Sequence, residues 1–121
     1  MSLKRKNDDV NINIWGLQKE MQPVLKHAHT IWTSILGIPD LVITSARDGF
    51  HSPGSFHYYG YAVDLRTWDA NSNQVSAQLR NKLADELRHV LSAYSPFYDV
   101  IVHKTHIHVE FDFIKAGLIG T

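Results

Sequence analysis

From position 15 the apolar residues recur at spacings of three and four: Trp15, Leu17, Met21, Val24, Leu25, Ala28, Ile31, Trp32, Ile35 and Leu36. That period lays a single stripe along a helix and predicts one buried face. Pro23 suits the first turn, where a missing N–H costs nothing, and Gly37 is placed to end the helix. After Pro39 and Asp40, the run Leu41-Val42-Ile43-Thr44 predicts a short buried strand. Residues 45–55 are rich in glycine, serine and aspartate, with Pro53-Gly54 as a turn signal, and predict a loop. Residues 61–66 then alternate as a strand that carries Asp64. A polar loop through Asp69, Asn71, Ser72 and Asn73 leads to a second helix over about residues 75–92, with Leu79, Leu83, Leu87, Val90 and Leu91 on its apolar face. Residues 98–103 and 106–111 predict two strands joined by a tight turn at Lys104-Thr105. Residues 1–13 read as a polar, frayed start. The fold class expected is α+β: a small, mainly antiparallel sheet with two main helices packed on it, in one domain over residues 1–121.

Composition narrows the partners. Twelve basic residues balance twelve acidic ones, so no net positive field gathers nucleic acid or an anionic membrane, and no nucleic-acid partner is expected. No segment approaches the roughly 20 apolar residues needed to span a bilayer. Lys4, Arg5 and Lys6 are followed by Asn7, Asp8 and Asp9 rather than by an apolar run, so no signal peptide is expected and synthesis in the cytoplasm is. Cysteine is absent, which leaves histidine and carboxylate as the strong transition-metal ligands.

Those ligand types cluster in two places: the ten residues Ser55-Phe56-His57-Tyr58-Tyr59-Gly60-Tyr61-Ala62-Val63-Asp64, and the triplet His106-Ile107-His108. Strand alternation puts His106, His108 and Glu110 on one face and Ile107, Val109 and Phe111 on the other. His57 precedes the strand that carries Asp64, and Gly60 between them lets the backbone turn sharply. Imidazole and carboxylate suit zinc, and His57, Asp64 and His108 are read as holding one Zn2+ with a fourth position open, the arrangement of a catalytic site. His106 either ligates as well, which would close the site, or hydrogen-bonds to a ligand or to substrate. Isolated histidines such as His27, His29, His51 and His89 read as surface or core-edge residues. Tyr58, Tyr59 and Tyr61 read equally as packing or as the lining of a peptide groove.

The string Ser-x-His-x-x-Gly-x-Ala-x-Asp from Ser55 to Asp64, preceded by Thr44-Ser45-Ala46-Arg47 and followed by His103-x-x-His106-x-His108, resembles the zinc D-alanyl-D-alanine carboxypeptidase family of murein metallopeptidases. That family also holds phage endolysins that cut the L-alanyl-D-glutamate bond, and its fold is shared with Hedgehog signalling domains. The resemblance runs from about Val42 to Asp112. It implies zinc ligands at His57, Asp64 and His108; Ser55, Tyr59 and His106 are read beside them as candidates for contact with substrate or with a ligand. It also implies that Arg47 binds the substrate carbonyl or its developing oxyanion, a task that suits an always-charged fork of donors.

The chain departs from many members at the general base. Where they carry Asp or Glu three residues before the third ligand, this chain has Thr105, which cannot take a proton. Carboxypeptidase-like members instead have a histidine five residues before the ligand, and His103 occupies that place. Histidine titrates near neutrality and can serve as base toward water or as acid toward the leaving amine. Asp99 and Glu110 are the reserve candidates. The resemblance thus implies a zinc peptidase, a D-Ala-D-Ala carboxypeptidase or L-Ala-D-Glu endopeptidase, acting on peptidoglycan stem peptides. A phage or prophage lysin, reaching the cell wall by another route of release, fits that expectation. The alternative is a non-catalytic zinc-binding module of Hedgehog-like fold.

Overall fold

The computed structural model of the chain describes residues 3–5, 17–45, 56 and 60–117, with residues 3–5 described at the level of the backbone. The α-helices and strands among the described residues are, in order, β1 (Leu3–Arg5), α1 (Gln22–Leu36), β2 (Leu41–Ser45), β3 (Ala62–Arg66), α2 (Ala77–Leu91), β4 (Tyr98–Val102) and β5 (His106–Phe111). The strands form one sheet in the order β1-β2-β3-β5-β4. From β2 to β4 every pairing is antiparallel, whereas β1 adds to β2 in parallel. The architecture is two helices packed on a four-stranded antiparallel sheet, extended at one edge by Leu3–Arg5. That three-residue strand lies where the sequence pattern announces only a frayed start. Its pairing partner is remote in sequence, so local periodicity carries no sign of it.

The helix limits follow from local chemistry. A single 3-10 turn at Lys19–Met21 leads into α1, Pro23 sits in its first turn, and Gly37 stops it in the left-handed region at φ 66°. There the Gly37 N–H closes on the Thr33 carbonyl at 3.1 Å, a left-handed termination that glycine makes without a Cβ penalty. In α2 the Ser76 Oγ accepts from the Leu79 N–H at 3.2 Å, satisfying a donor that the first turn leaves open.

One face of the sheet is the core. Ile43, Val63, Leu65, Val100, Ile107 and Val109 bury against Val24, Ala28 and Trp32 of α1 and Leu83, Leu87 and Leu91 of α2. Trp32 is fully buried, and its indole Nε1–H donates to the Arg66 carbonyl at 2.9 Å, so the largest core side chain also ties α1 to the end of β3. The alternation expected for β5 is observed: Ile107, Val109 and Phe111 are buried and His106, His108 and Glu110 are half-buried on the opposite face. Among the described residues no helix is long and apolar enough to cross a membrane.

Two details shape the entrance to β3. Gly60, at φ 79°, makes the positive-φ turn that the sequence assigns to it, and its carbonyl accepts from the Gln18 N–H. Tyr61 then packs inward: it is 7% exposed and its ring stacks on Phe113 at 4.5 Å, so of its two readings packing is the one observed. At the far end of β2 the register slips between Ile43 and Ser45, a bulge of the kind that re-aims a strand.

Candidate metal centre

The face of the sheet opposite α1 and α2 brings the ligand-type residues together. In the β3–β5 register Asp64 lies beside His108, Arg66 beside His106, and Ala62 beside Glu110. In the β4–β5 register Glu110 also neighbours Asp99, and His108 neighbours Ile101. Residues paired in this way project to the same side, so two chain segments 44 positions apart converge without a loop having to fold over them.

His108 is held between two carboxylates. Its Nδ1 lies 2.8 Å from Asp64 Oδ1 and its Nε2 lies 2.7 Å from Glu110 Oε1. Ionised carboxylates only accept, so both ring nitrogens donate and the ring is an imidazolium. The side chains of His108, Asp64 and Glu110 are 16%, 18% and 22% exposed, enough shielding for these charge-assisted bonds to be strong. Burial by itself lowers the pKa of His108. The bonds from Asp64 and Glu110, with the negative charges behind them, outweigh that and push it up to about 9.

The sign of the stability effect follows. A folded pKa above the ordinary 6.5 means that the native state binds the extra proton. The stabilisation is complete below pH 6.5 and is lost as pH rises through about 9. Metal-free protein should therefore melt at progressively lower temperature from pH 6.5 to about 9, and a thermal melt series checks this. His108→Gln should flatten that part of the profile. A parent Tm that stays level or rises over this range would contradict the bracketed imidazolium.

Two further histidines border the pair. His106 Nε2 is 3.8 Å from Asp64 Oδ1, and the Thr105 hydroxyl is 3.2 Å from His106 Nδ1. His103, exposed at the β4–β5 turn, stacks its ring on His106 at 4.6 Å and stands edge-on to His108 at 6.3 Å. The turn is closed by the His103 N–H donating to the His106 carbonyl at 2.9 Å. It folds His103 back beside the pair.

Zinc chemistry can be tested against these residues. Two donors on one tetrahedral zinc at 2.0–2.1 Å stand about 3.3 Å apart, while Asp64 Oδ1 and His108 Nδ1 are 2.8 Å apart with a proton between them. A cation replacing that proton needs only a small spreading of the pair, and one imidazole nitrogen with one carboxylate oxygen fits zinc's ligand preferences. Among the described residues no group of three histidine or carboxylate side chains is arranged to hold a metal. The remaining expected ligand, His57, lies outside the described residues, as do Arg47, Ser55 and Tyr59.

Glu110 is more prominent than the sequence makes it. Alternation places it on the site face, but its direct bond to His108 depends on rotamers that a pattern does not encode. Arg66 was not singled out in sequence. Its guanidinium lies 3.9 Å above the Trp68 ring, at the end of β3 nearest His106. The isolated His27 meets its structural reading: its Nε2 is 2.8 Å from the Tyr94 hydroxyl, joining the start of α1 to the chain after α2.

Fold and face together define an α+β protein with a histidine–carboxylate cluster on the side of an antiparallel sheet opposite its two helices. Comparison of the chain with protein-family models, with curated proteins and with solved structures found no match.

Proposed function

We propose that this protein is a zinc-dependent peptidase that hydrolyses peptidoglycan stem peptides, built on the fold shared by murein DD-peptidases and Hedgehog signalling domains. The observation that carries the reading is the Asp64–His108 pair, 2.8 Å apart on adjacent strands, with two more imidazoles beside it. A structural ion pair does not call for flanking histidines, whereas a hydrolytic centre uses groups that titrate near neutrality.

Asp64 and His108 would hold the ion, with His57 as the third protein donor. Zinc, when bound, supplies a Lewis acid for the scissile carbonyl. Glu110 keeps the Nε2–H of His108 engaged, which orients the ring so that Nδ1 faces Asp64. His103 takes a proton from the attacking water at a ring nitrogen as the new C–O bond forms, then returns it to the departing amine as the C–N bond breaks. Arg47, assigned through the resemblance, stabilises negative charge on the carbonyl oxygen.

The test is digestion of purified peptidoglycan by the zinc-loaded protein, followed by mass spectrometry of the released fragments. One stem-peptide bond should open with addition of water while the glycan strands stay intact, and the fragment masses name the bond as D-Ala-D-Ala or L-Ala-D-Glu. Intact stem peptides after prolonged incubation with zinc-loaded protein would overturn the reading. One observation favours a second reading: His106 Nε2 lies 3.8 Å from Asp64 Oδ1, so a change of rotamer would bring it toward the same cation. A fourth donor there makes a closed, structural site, and the protein a non-catalytic zinc module. Retained zinc with no cleavage selects that reading.

A further inference from the structure

The face that carries the histidines is charged unequally along its length. Asp99 and Glu110 occupy one end, the histidines lie in the middle, and Arg66 occupies the other end beside His106, with Lys104 in the adjacent β4–β5 turn. Arg66 is fixed rather than free to wander, because its guanidinium rests on the Trp68 ring at 3.9 Å. Such stacking holds a cation in place while leaving its N–H donors for a planar anion. Among the described residues no carboxylate pairs with that guanidinium. Its backbone is anchored too, since the Arg66 carbonyl accepts from the Trp32 indole in the core.

Spacing gives the subsite a position. Arg66 is two residues beyond Asp64 on the same strand face, or about 6.6 Å along the strand at about 3.3 Å per residue. A peptide lying along the strand covers that distance in two residues. By bond lengths, the α-carboxylate of the residue directly after a scissile carbonyl falls short of it.

We infer that Arg66, seated on Trp68, binds a substrate carboxylate about two residues from the bond that is cut. The inference rests on the peptidase reading and narrows it to longer stem peptides with an internal or distal acidic group, rather than to recognition of the terminal residue being released. The acidic end of the face, at Asp99 and Glu110, then accommodates the opposite, non-anionic end of the peptide.

The experiment uses the full-length, zinc-loaded protein and its Arg66→Met variant on pairs of synthetic stem peptides that differ in one carboxyl, free or amidated, taken in turn along the peptide. For the parent, amidating the carboxyl two residues from the cut should raise KM about tenfold or more, the loss expected for one charge-assisted contact, with kcat nearly unchanged. Arg66→Met should show the high KM toward both members of that pair while retaining a full complement of zinc, and Arg66→Lys should recover part of the discrimination. A parent indifferent to every amidation, or an Arg66→Met variant that discriminates as the parent does, overturns the inference. Binding is read separately from turnover by the Arg66 Nε–H resonance in metal-free parent protein, which should move on addition of the free-carboxyl peptide and stay still with the amidated one. Movement without any cleavage in the zinc-loaded protein upholds the anchor and sinks the peptidase reading. Cleavage without movement does the reverse.

Discussion

Asp64→Ala should leave the protein unable to keep zinc. Dialysed parent should retain one ion per chain, and the variant should retain almost none, with affinity down by more than the 10–100-fold typical of residues that merely orient a ligand. The physical reason is that Asp64 supplies an anionic donor facing His108 Nδ1, at 2.8 Å, while Glu110 engages the opposite nitrogen. In the proposed site, removing the carboxylate takes away a ligand and the charge that would draw a divalent cation into a half-buried position. Elemental analysis after dialysis, with circular dichroism to show that the sheet persists, is the check. Full zinc in a folded Asp64→Ala protein would remove Asp64 from the ligand set.

The second large effect separates chemistry from metal binding. His103→Ala should keep stoichiometric zinc and fold as the parent does, yet lose hydrolysis of purified murein by about 10²–10⁴-fold, the usual contribution of a positioned acid–base group. His103 is exposed at the turn, so no core contact is lost, and its ring lies edge-on to His108 at 6.3 Å, close enough to serve the same centre. A variant that cuts as fast as the parent shows that another group moves the proton. Asp99 and Glu110, both on the same face, are then next in line.

How much of this is legible in the chain differs by element. The period of Val24, Ala28 and Trp32, the breaker at Gly37 and the alternation through His106, Ile107 and His108 are local signals, and each produces the element it predicts. The side of the sheet on which the histidines lie is also local, since alternation alone fixes it. Register is not local. That Asp64 stands beside His108, rather than beside His106, depends on how β3 and β5 align after a long excursion through α2 and β4, and no residue in either strand announces it. The same limit hides Leu3–Arg5, which becomes a strand only because β2 offers it an edge. Rotamer-level facts form a third tier: Glu110 closing on His108, Tyr61 turning into the aromatic cluster, and Arg66 lying on Trp68 follow from packing after the backbone is placed. The expected contributions of Arg47, Ser55, His57 and Tyr59 belong to segments outside the described residues.

Zinc K-edge X-ray absorption on the metal-loaded protein reads the coordination of the proposed centre itself. The expected spectrum has one zinc per chain with nitrogen and oxygen neighbours at about 2.0–2.1 Å, outer-shell scattering from two imidazole rings, and a shell completed by a single solvent oxygen. A protein that binds no zinc, or one whose zinc is enclosed by three imidazoles and a carboxylate with no position left for solvent, would contradict it.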